Sequence, residues 1–259
     1  MLIFDKVKNP LIHRMNSWLL WRQASVSWTS IHGPWLFTLL ERMRTPSIFS
    51  VEAERERKRL LRDLSPVAPL DFGAGSQSAS RTTANIAKSA LKRPKHARAL
   101  AALSRHIDAK HVLELGTCLG ITTAYLSKEA TTVTTLEGNP ALAQRAEAIW
   151  KRLSIQNIRC ITGAFDETLP TLPSKQYDLI FIDGNHRGDA LIRYVNALAP
   201  SLSPKGVMVC DDIHWSPDME HAWNKLMHEP RWTLKVDFYE WGMLTANLDL
   251  AREFHCIRF

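Results

Sequence analysis

From His111 onward, short apolar runs alternate with segments whose apolar positions recur at helical spacing. His111–Leu115, Thr132–Leu136, Ile158–Ile161, Tyr177–Ile182 and Gly206–Cys210 read as strands. Segments 119–128, 140–153, 188–200 and 215–228 read as helices between them. Strands separated by helices of about 10–15 residues imply βαβ crossovers and a parallel sheet covered on both faces. Trp232–Val236, Gly242–Ala246 and Phe254–Ile257 offer two or three further strands. The pattern predicts an α/β fold: a Rossmann-like, doubly wound, mostly parallel seven-stranded sheet.

Upstream the texture is helical. Leu11 to Trp28 and Trp35 to Met43 read as helices punctuated by Gly33-Pro34, and Glu52 to Arg62 reads as a mixed-charge helix with a solvated face. Pro66 to Ser78 is rich in proline and glycine and reads as a linker, and 81–107 reads as two basic helices separated by Pro94. This divides the chain into a helical, basic N-terminal extension, 1–70, and a main domain, 71–259, with a cofactor-binding core at 110–228. Trp18, Trp21, Trp28 and Trp35 crowd the extension. Packing onto the main domain is the favoured reading, because aromatic rings carry large buried area, and peripheral contact with a lipid surface stays open.

Length and charge refine this. The chain has 259 residues, room for one large domain with an appendage. Its formal charge is +7, but the excess is uneven. Residues 1–110 carry 19 basic and 8 acidic side chains, +11, whereas 111–259 carry 14 and 18, −4. A uniform nucleic-acid-binding coat is therefore disfavoured, and a basic cover over an acidic core is favoured. Cys118, Cys160, Cys210 and Cys256 show no C-x-x-C spacing, so neither a zinc site nor a redox motif is indicated, and the pattern fits a cytoplasmic location. No run is long and apolar enough to be a membrane span, and Arg22 interrupts the Trp18–Trp21 run without a cleavage site following, so no signal peptide is read. The oligomeric state stays open, a homodimer included.

In an open parallel sheet, ligands sit beyond the carboxyl ends of the strands. The first strand ends in Glu114-Leu115-Gly116-Thr117-Cys118-Leu119-Gly120, where Gly116 and Gly120 permit a tight turn and close backbone approach. The second ends in Glu137, placed to accept both hydroxyls of a ribose. A glycine-rich turn with a distal acid is a nucleoside-binding signature. The turn is G-x-x-x-G rather than G-x-G-x-x-G, and Glu114 adds negative charge where a pyrophosphate would lie. A cationic ligand suits that carboxylate better, which favours S-adenosyl-L-methionine over a nicotinamide dinucleotide.

Val112 to Ile121 resembles the first motif of class I S-adenosylmethionine-dependent methyltransferases. Thr135-Leu136-Glu137-Gly138 is similar to their ribose-binding strand end, and Thr162-Gly163-Ala164-Phe165 to the loop lying against adenine. Tyr177 to His186 resembles the fourth-strand motif of the small-molecule O-methyltransferase branch, the catechol and caffeoyl-CoA type. The resemblance covers roughly residues 72–228, Gly73-Ala74-Gly75-Ser76 being its upstream edge. It implies O-methylation of a small-molecule acceptor. The cofactor residues it implies, with those read above, are Glu114, Gly116, Thr117, Gly120, Glu137, Gly163, Ala164, Phe165 and Asp183.

That branch also binds a divalent ion through an Asp after strand four and an Asp-Asn pair after strand five. The matching positions are Asp183, Asp211 and Asp212, so a carboxylate replaces the amide, and three carboxylates suit Mg²⁺ or another hard divalent cation. The alternative is that Asp212 caps a helix and no metal binds. Where the branch commonly has a lysine, this chain has His186, a natural general base, and His214 is a second candidate. The basic extension suits an anionic acceptor. Three rivals remain: a non-catalytic S-adenosylmethionine-binding protein of the same fold, a nucleic-acid methyltransferase, which lacks its [DN]-P-P-[YF] motif here, and a nicotinamide-dependent oxidoreductase.

Overall fold

A computed structural model describes residues 10–45, 50–68, 81–173 and 176–258. The Gly73–Ser76 motif lies outside them. In chain order the elements are α1 (Pro10–Ala24), β1 (Val26–Ser27), α2 (Pro34–Arg44), α3 (Val51–Leu60), β2 (Pro66–Val67), β3 (Arg81–Thr82), α4 (Thr83–Ala90) and α5 (Pro94–His106). The main domain continues with β4 (His111–Leu115), α6 (Ile121–Leu126), β5 (Thr132–Glu137), α7 (Pro140–Arg152), β6 (Ile158–Thr162) and the single turn α8 (Phe165–Thr168). It closes with β7 (Tyr177–Ile182), α9 (Gly188–Leu198), β8 (Leu202–Asp211), α10 (Pro217–His228), β9 (Leu234–Asp237), β10 (Trp241–Thr245) and β11 (Glu253–Arg258).

The main sheet runs β1-β11-β9-β10-β8-β7-β4-β5-β6. Only β10 is antiparallel to its neighbours β8 and β9. Among the described residues the sheet has nine strands rather than the seven expected. The tail supplies three, and the extension adds the two-residue edge strand β1, whose Val26 pairs with Ile257.

The apolar runs are nearly continuous because both faces are buried. Val112, Leu179, Phe181, Val207 and Val209 pack on one face. Leu113, Ile180, Ile182, Met208 and Cys210 pack on the other. Along each strand the side chains alternate between the two layers, which is the period of two expressed without any polar face.

The extension is woven into this body. Leu36, Leu39, Leu40 and Met43 of α2 join the same apolar cluster as Ala97, Leu100 and Leu103 of α5. Trp21 tilts against Tyr239 with ring centroids 5.4 Å apart, and Trp35 meets His106 edge-on at 4.9 Å. On α1, Met15, Trp18 and Leu19 stay exposed. The mixed-charge helix α3 departs from the expected solvated face. Glu56 and Arg57 are buried there, Glu56 reaching Arg152 at 2.7 Å and Glu54 accepting from the Tyr125 hydroxyl at 3.0 Å. A charged residue tolerates burial when it is paired. No helix among the described residues is long and apolar enough to cross a membrane.

Candidate active site

The chain leaves β4 toward β5 and β6, then crosses back to β7 beside β4, so strand order reverses between β4 and β7. Their carboxyl ends form the crevice where this topology binds ligands. Gly116 turns there with φ +102°, and a Cβ on it would lie 2.0 Å from the Asp183 carbonyl oxygen. Glycine is needed because two strand-end backbones touch at this point. Three residues just past the ends of β4, β7 and β8, Cys118, Asn185 and Asp212, also take positive φ. Such backbone cost is commonly concentrated at functional sites.

The cleft beyond these ends holds about 280 Å³. Gly116, Cys118, Glu137, Ala164, Phe165 and Asp183 line it, with Gly138, Asn139, Leu142, Asp166, Gly184, Asn185 and Tyr194. The carboxylate of Glu137 is fixed by the backbone N–H of Cys118 at 2.7 Å and that of Asn139 at 2.8 Å. Burial nevertheless raises its pKa, against those backbone donors. Phe165 and Tyr194 meet edge to face at 5.7 Å and form an aromatic wall.

Four expected cofactor residues fall outside the cleft lining. Glu114 is fully buried beneath the turn, accepting from the hydroxyls of Thr123 at 2.6 Å and Thr135 at 2.7 Å. Burial pushes its pKa up to about 8, against the two hydroxyl donors, and a cation bound nearby would draw it back down. The buried Thr117 shares a hydroxyl contact with Thr135 at 2.6 Å. Gly120 starts α6 at φ +70°, where a Cβ would meet Trp150 Nε1 at 2.7 Å, and its carbonyl accepts from that Nε1. It permits α6 and α7 to pack closely. Gly163 turns at φ +148° over Thr168.

Beside the cleft the acids of β7 and β8 converge. Asp183, His186 and Asp212 each offer a ligand atom within 4.8 Å of the others, and His186 Nδ1 lies 3.5 Å from Asp212 Oδ2. Asp211 is not in that cluster. It is buried, and its carboxylate accepts from the ammonium of Lys92, which also lies 3.3 Å from Asp183 Oδ1. Lys92 comes from the turn before α5, and the sequence reading did not single it out. Nothing in its spacing links it to strands β7 and β8. Burial raises the Asp183 pKa, and Lys92 opposes that rise.

His214 sits apart from this cluster. With the ring charged, Nδ1–H donates to Ser17 Oγ and Nε2–H to Asp237 Oδ2, both at 2.9 Å, and the ring stacks on Tyr239 at 5.0 Å. Burial disfavours its charge, yet the Asp237 and Glu220 carboxylates push its pKa up to about 9. A charged imidazole with both N–H groups engaged has no lone pair to act as a base. The expectation that His214 shares the catalytic rim with His186 is therefore corrected: it ties α1 to the sheet. The sign of its linkage follows. A pKa raised from 6.5 to about 9 gives stability that is full below pH 6.5 and lost as pH rises through 9. Denaturant titrations should show a loss of about 3 kcal/mol across that window. His214→Gln should be less stable at pH 6 and flatten the profile, and an unchanged profile would remove this role.

Comparison with known proteins agrees with the geometry. Residues 113–213 match the family model described as a methyltransferase domain. That segment of the chain is similar to a methyltransferase domain. A catechol O-methyltransferase of Mycobacterium tuberculosis is 33% identical over 119 residues, 44% of this chain and 53% of that protein. The chain thus spans about half the length of the curated relatives it matches. Among solved structures, an SAH-bound methyltransferase of Podospora anserina superposes with a TM-score of 0.54 at 17% identity, covering 95% of this chain and 99% of the other. An O-methyltransferase of Bacillus cereus in complex with SAH gives a TM-score of 0.59 at 17% identity over 79% and 96%. These likenesses show the Rossmann-like methyltransferase fold with N-terminal helices. The segment matched by the family model begins within β4 and ends just past β8, so it includes Glu114, Glu137, Asp183 and Asp211 but not Lys92.

Proposed function

We propose that this domain transfers a methyl group from S-adenosylmethionine to an oxygen of a small aromatic acceptor bearing an acidic group. The switch-point cleft supports the reading most strongly, because it joins a recess of about 280 Å³, lined by Glu137 and Phe165, to a cluster of acid–base groups. When bound, S-adenosylmethionine supplies an electrophilic methyl on a sulfonium. Glu137 would accept hydrogen bonds from the ribose hydroxyls. Ala164 and Phe165 offer a surface to adenine, and Asp183 lines the cleft where the methionine end of the cofactor would lie.

His186 is the candidate general base. It is partly exposed, and Asp212 stands where a carboxylate orients an imidazole. The cofactor would supply the methyl to the acceptor oxygen and keep the electrons of the broken carbon–sulfur bond on its sulfur, and His186 would receive the acceptor proton. Alignment and deprotonation are the protein's share of such a reaction.

A second cavity, about 490 Å³, supports the acceptor class. Trp18, Trp21, Phe238 and Trp241 give it aromatic walls, and Arg22, Arg44, Lys95 and Arg258 outweigh its one carboxylate, Glu240, which His96 meets at 2.8 Å. Its wall adjoins the acids, since Trp241 pairs with Asp211 and the Glu240 carbonyl accepts from the Asp212 N–H at 2.7 Å. An aromatic acid matches this lining in both shape and charge.

A divalent ion would need hard oxygen or imidazole donors. Asp183, His186 and Asp212 have suitable donor chemistry. The Lys92 ammonium, however, already lies on Asp183 and Asp211. At an effective dielectric of 20 an ammonium about 4 Å from a divalent ion opposes it by roughly 8 kcal/mol, so an ion would have to displace Lys92 before it could use Asp183 and Asp211. The residues present do not fit the ion, and no step is routed through one.

The test is transfer of a labelled methyl group to a panel of phenols with and without carboxylate groups. His186→Ala should hold S-adenosylmethionine with unchanged affinity and turn over about 10²–10⁴ times more slowly. Cofactor binding without transfer to any phenol would favour a non-catalytic binding protein. Unchanged turnover in His186→Ala would remove the base.

A further inference from the structure

We propose that Lys92 is the built-in cation of this site, standing where the divalent ion of similar enzymes would be held, so that the chain binds no divalent metal at Asp183 and Asp211. The inference rests on reading Asp183 as part of the reaction centre. Its basis is geometric. The two carboxylates belong to the ends of adjacent strands β7 and β8, which fixes their separation through the sheet rather than through a loop. Asp211 is 5% exposed and its side chain reaches only inward, to the ammonium. Lys92 is itself only 15% exposed, at 3.3 Å from Asp183, so the pair of acids is closed by an ammonium from a third element.

Its placement is enforced on both sides. Pro94 begins α5 immediately afterwards, and that helix buries Ala97, Leu100, Ala101 and Leu103 in the core, leaving little freedom to withdraw the turn. Two residues on, the adjoining first turn of α5 is tied to the same sheet end, His96 meeting Glu240 at 2.8 Å. An ammonium has three N–H donors, and two are used by Asp183 and Asp211. The third would be available to an acceptor oxygen, the task a Lewis acid performs elsewhere, without the tight octahedral shell that Mg²⁺ demands. The Asp at 212, in place of an amide, is then relieved of ligation and left to His186, which lies 3.5 Å away.

Electron paramagnetic resonance of MnCl₂ titrated with the full chain tests this directly. The wild type should leave the free Mn²⁺ signal unchanged up to millimolar metal. Lys92→Met should bind one Mn²⁺ at least about tenfold more tightly, and adding Asp183→Asn should abolish that gain. One tight Mn²⁺ on the wild type, lost in Asp183→Asn, would overturn the proposal. So would a Lys92→Met variant that holds S-adenosylhomocysteine, and is therefore folded, yet binds Mn²⁺ no better than wild type. If Lys92→Met does not fold, the wild-type titration decides alone. S-adenosylhomocysteine binding reports on the cofactor site separately, so failure of the metal claim and failure of the methyltransferase reading are distinguishable.

Discussion

Glu137→Ala is expected to weaken S-adenosylmethionine binding by about two to four orders of magnitude. A hydrogen bond to a charged group contributes about 1.5–3 kcal/mol, and the Glu137 carboxylate would receive two from one ribose. Each 1.4 kcal/mol is about tenfold in affinity. The substitution also strands the N–H groups of Cys118 and Asn139, which the carboxylate now fixes at 2.7 and 2.8 Å. Both residues line the cleft, so its floor loosens as well as losing an acceptor. Glu137→Gln keeps one acceptor oxygen and should lose about tenfold. Calorimetry on the three proteins checks the series, and an alanine variant within threefold of wild type would remove Glu137 from the site.

Gly116→Ala is the most damaging single methyl the geometry allows. The new Cβ would meet the Asp183 carbonyl oxygen at 2.0 Å and its carbon at 2.8 Å, both backbone atoms of a buried strand end. The residue must also keep φ +102°, which costs a non-glycine residue about 1–2 kcal/mol. Overpacking adds about 1–3 kcal/mol, and here the obstacle is backbone that cannot rotate away. A loss of about 4 kcal/mol in urea unfolding is expected, with the thermal shift on adding S-adenosylhomocysteine lost. Gly120→Ala, by contrast, should harm stability while sparing cofactor affinity in whatever fraction folds, because Gly120 faces Trp150 rather than the cleft. Wild-type stability and an intact ligand shift in Gly116→Ala would contradict the switch-point packing.

Part of this site was legible in the chain because strand ends are legible. A run such as Tyr177–Ile182 declares where it stops, and the residue that follows, Asp183, must then stand at the carboxyl edge of a parallel sheet. The same logic found Glu137, Gly116 and Asp211. It also named Glu114 and Thr117, which the structure buries outside the cleft lining, because spacing along a strand does not say whether a side chain points up into the cleft or down into the layer. Glu114 points down, onto Thr123 and Thr135. His214 misled for a related reason: its neighbours Asp237 and Ser17 lie 23 and 197 residues away, and no local pattern carries such a contact. Lys92 and Tyr194 were missed because each reaches the site from a helix or turn whose own periodicity is satisfied without it. The nine-stranded sheet follows from the same limit, since β1 is too short to have a period and exists only by pairing with β11.

The charge asymmetry also gains a location. The basic excess of the first 110 residues contributes Arg22, Arg44 and Lys95 to the second cavity and Lys92 to the acids of β7 and β8. The acidic half keeps its charge at strand ends, where a sulfonium and an ammonium both have a use.

A crystal structure of the chain with S-adenosylhomocysteine tests the central claim most directly. The account predicts density in the cleft between Gly116 and Tyr194, with the ribose hydroxyls on Glu137 and the sulfur on the side of Asp183 and His186. Density for the nucleoside in the Trp18–Trp241 cavity instead, with the Gly116 cleft empty, would contradict it.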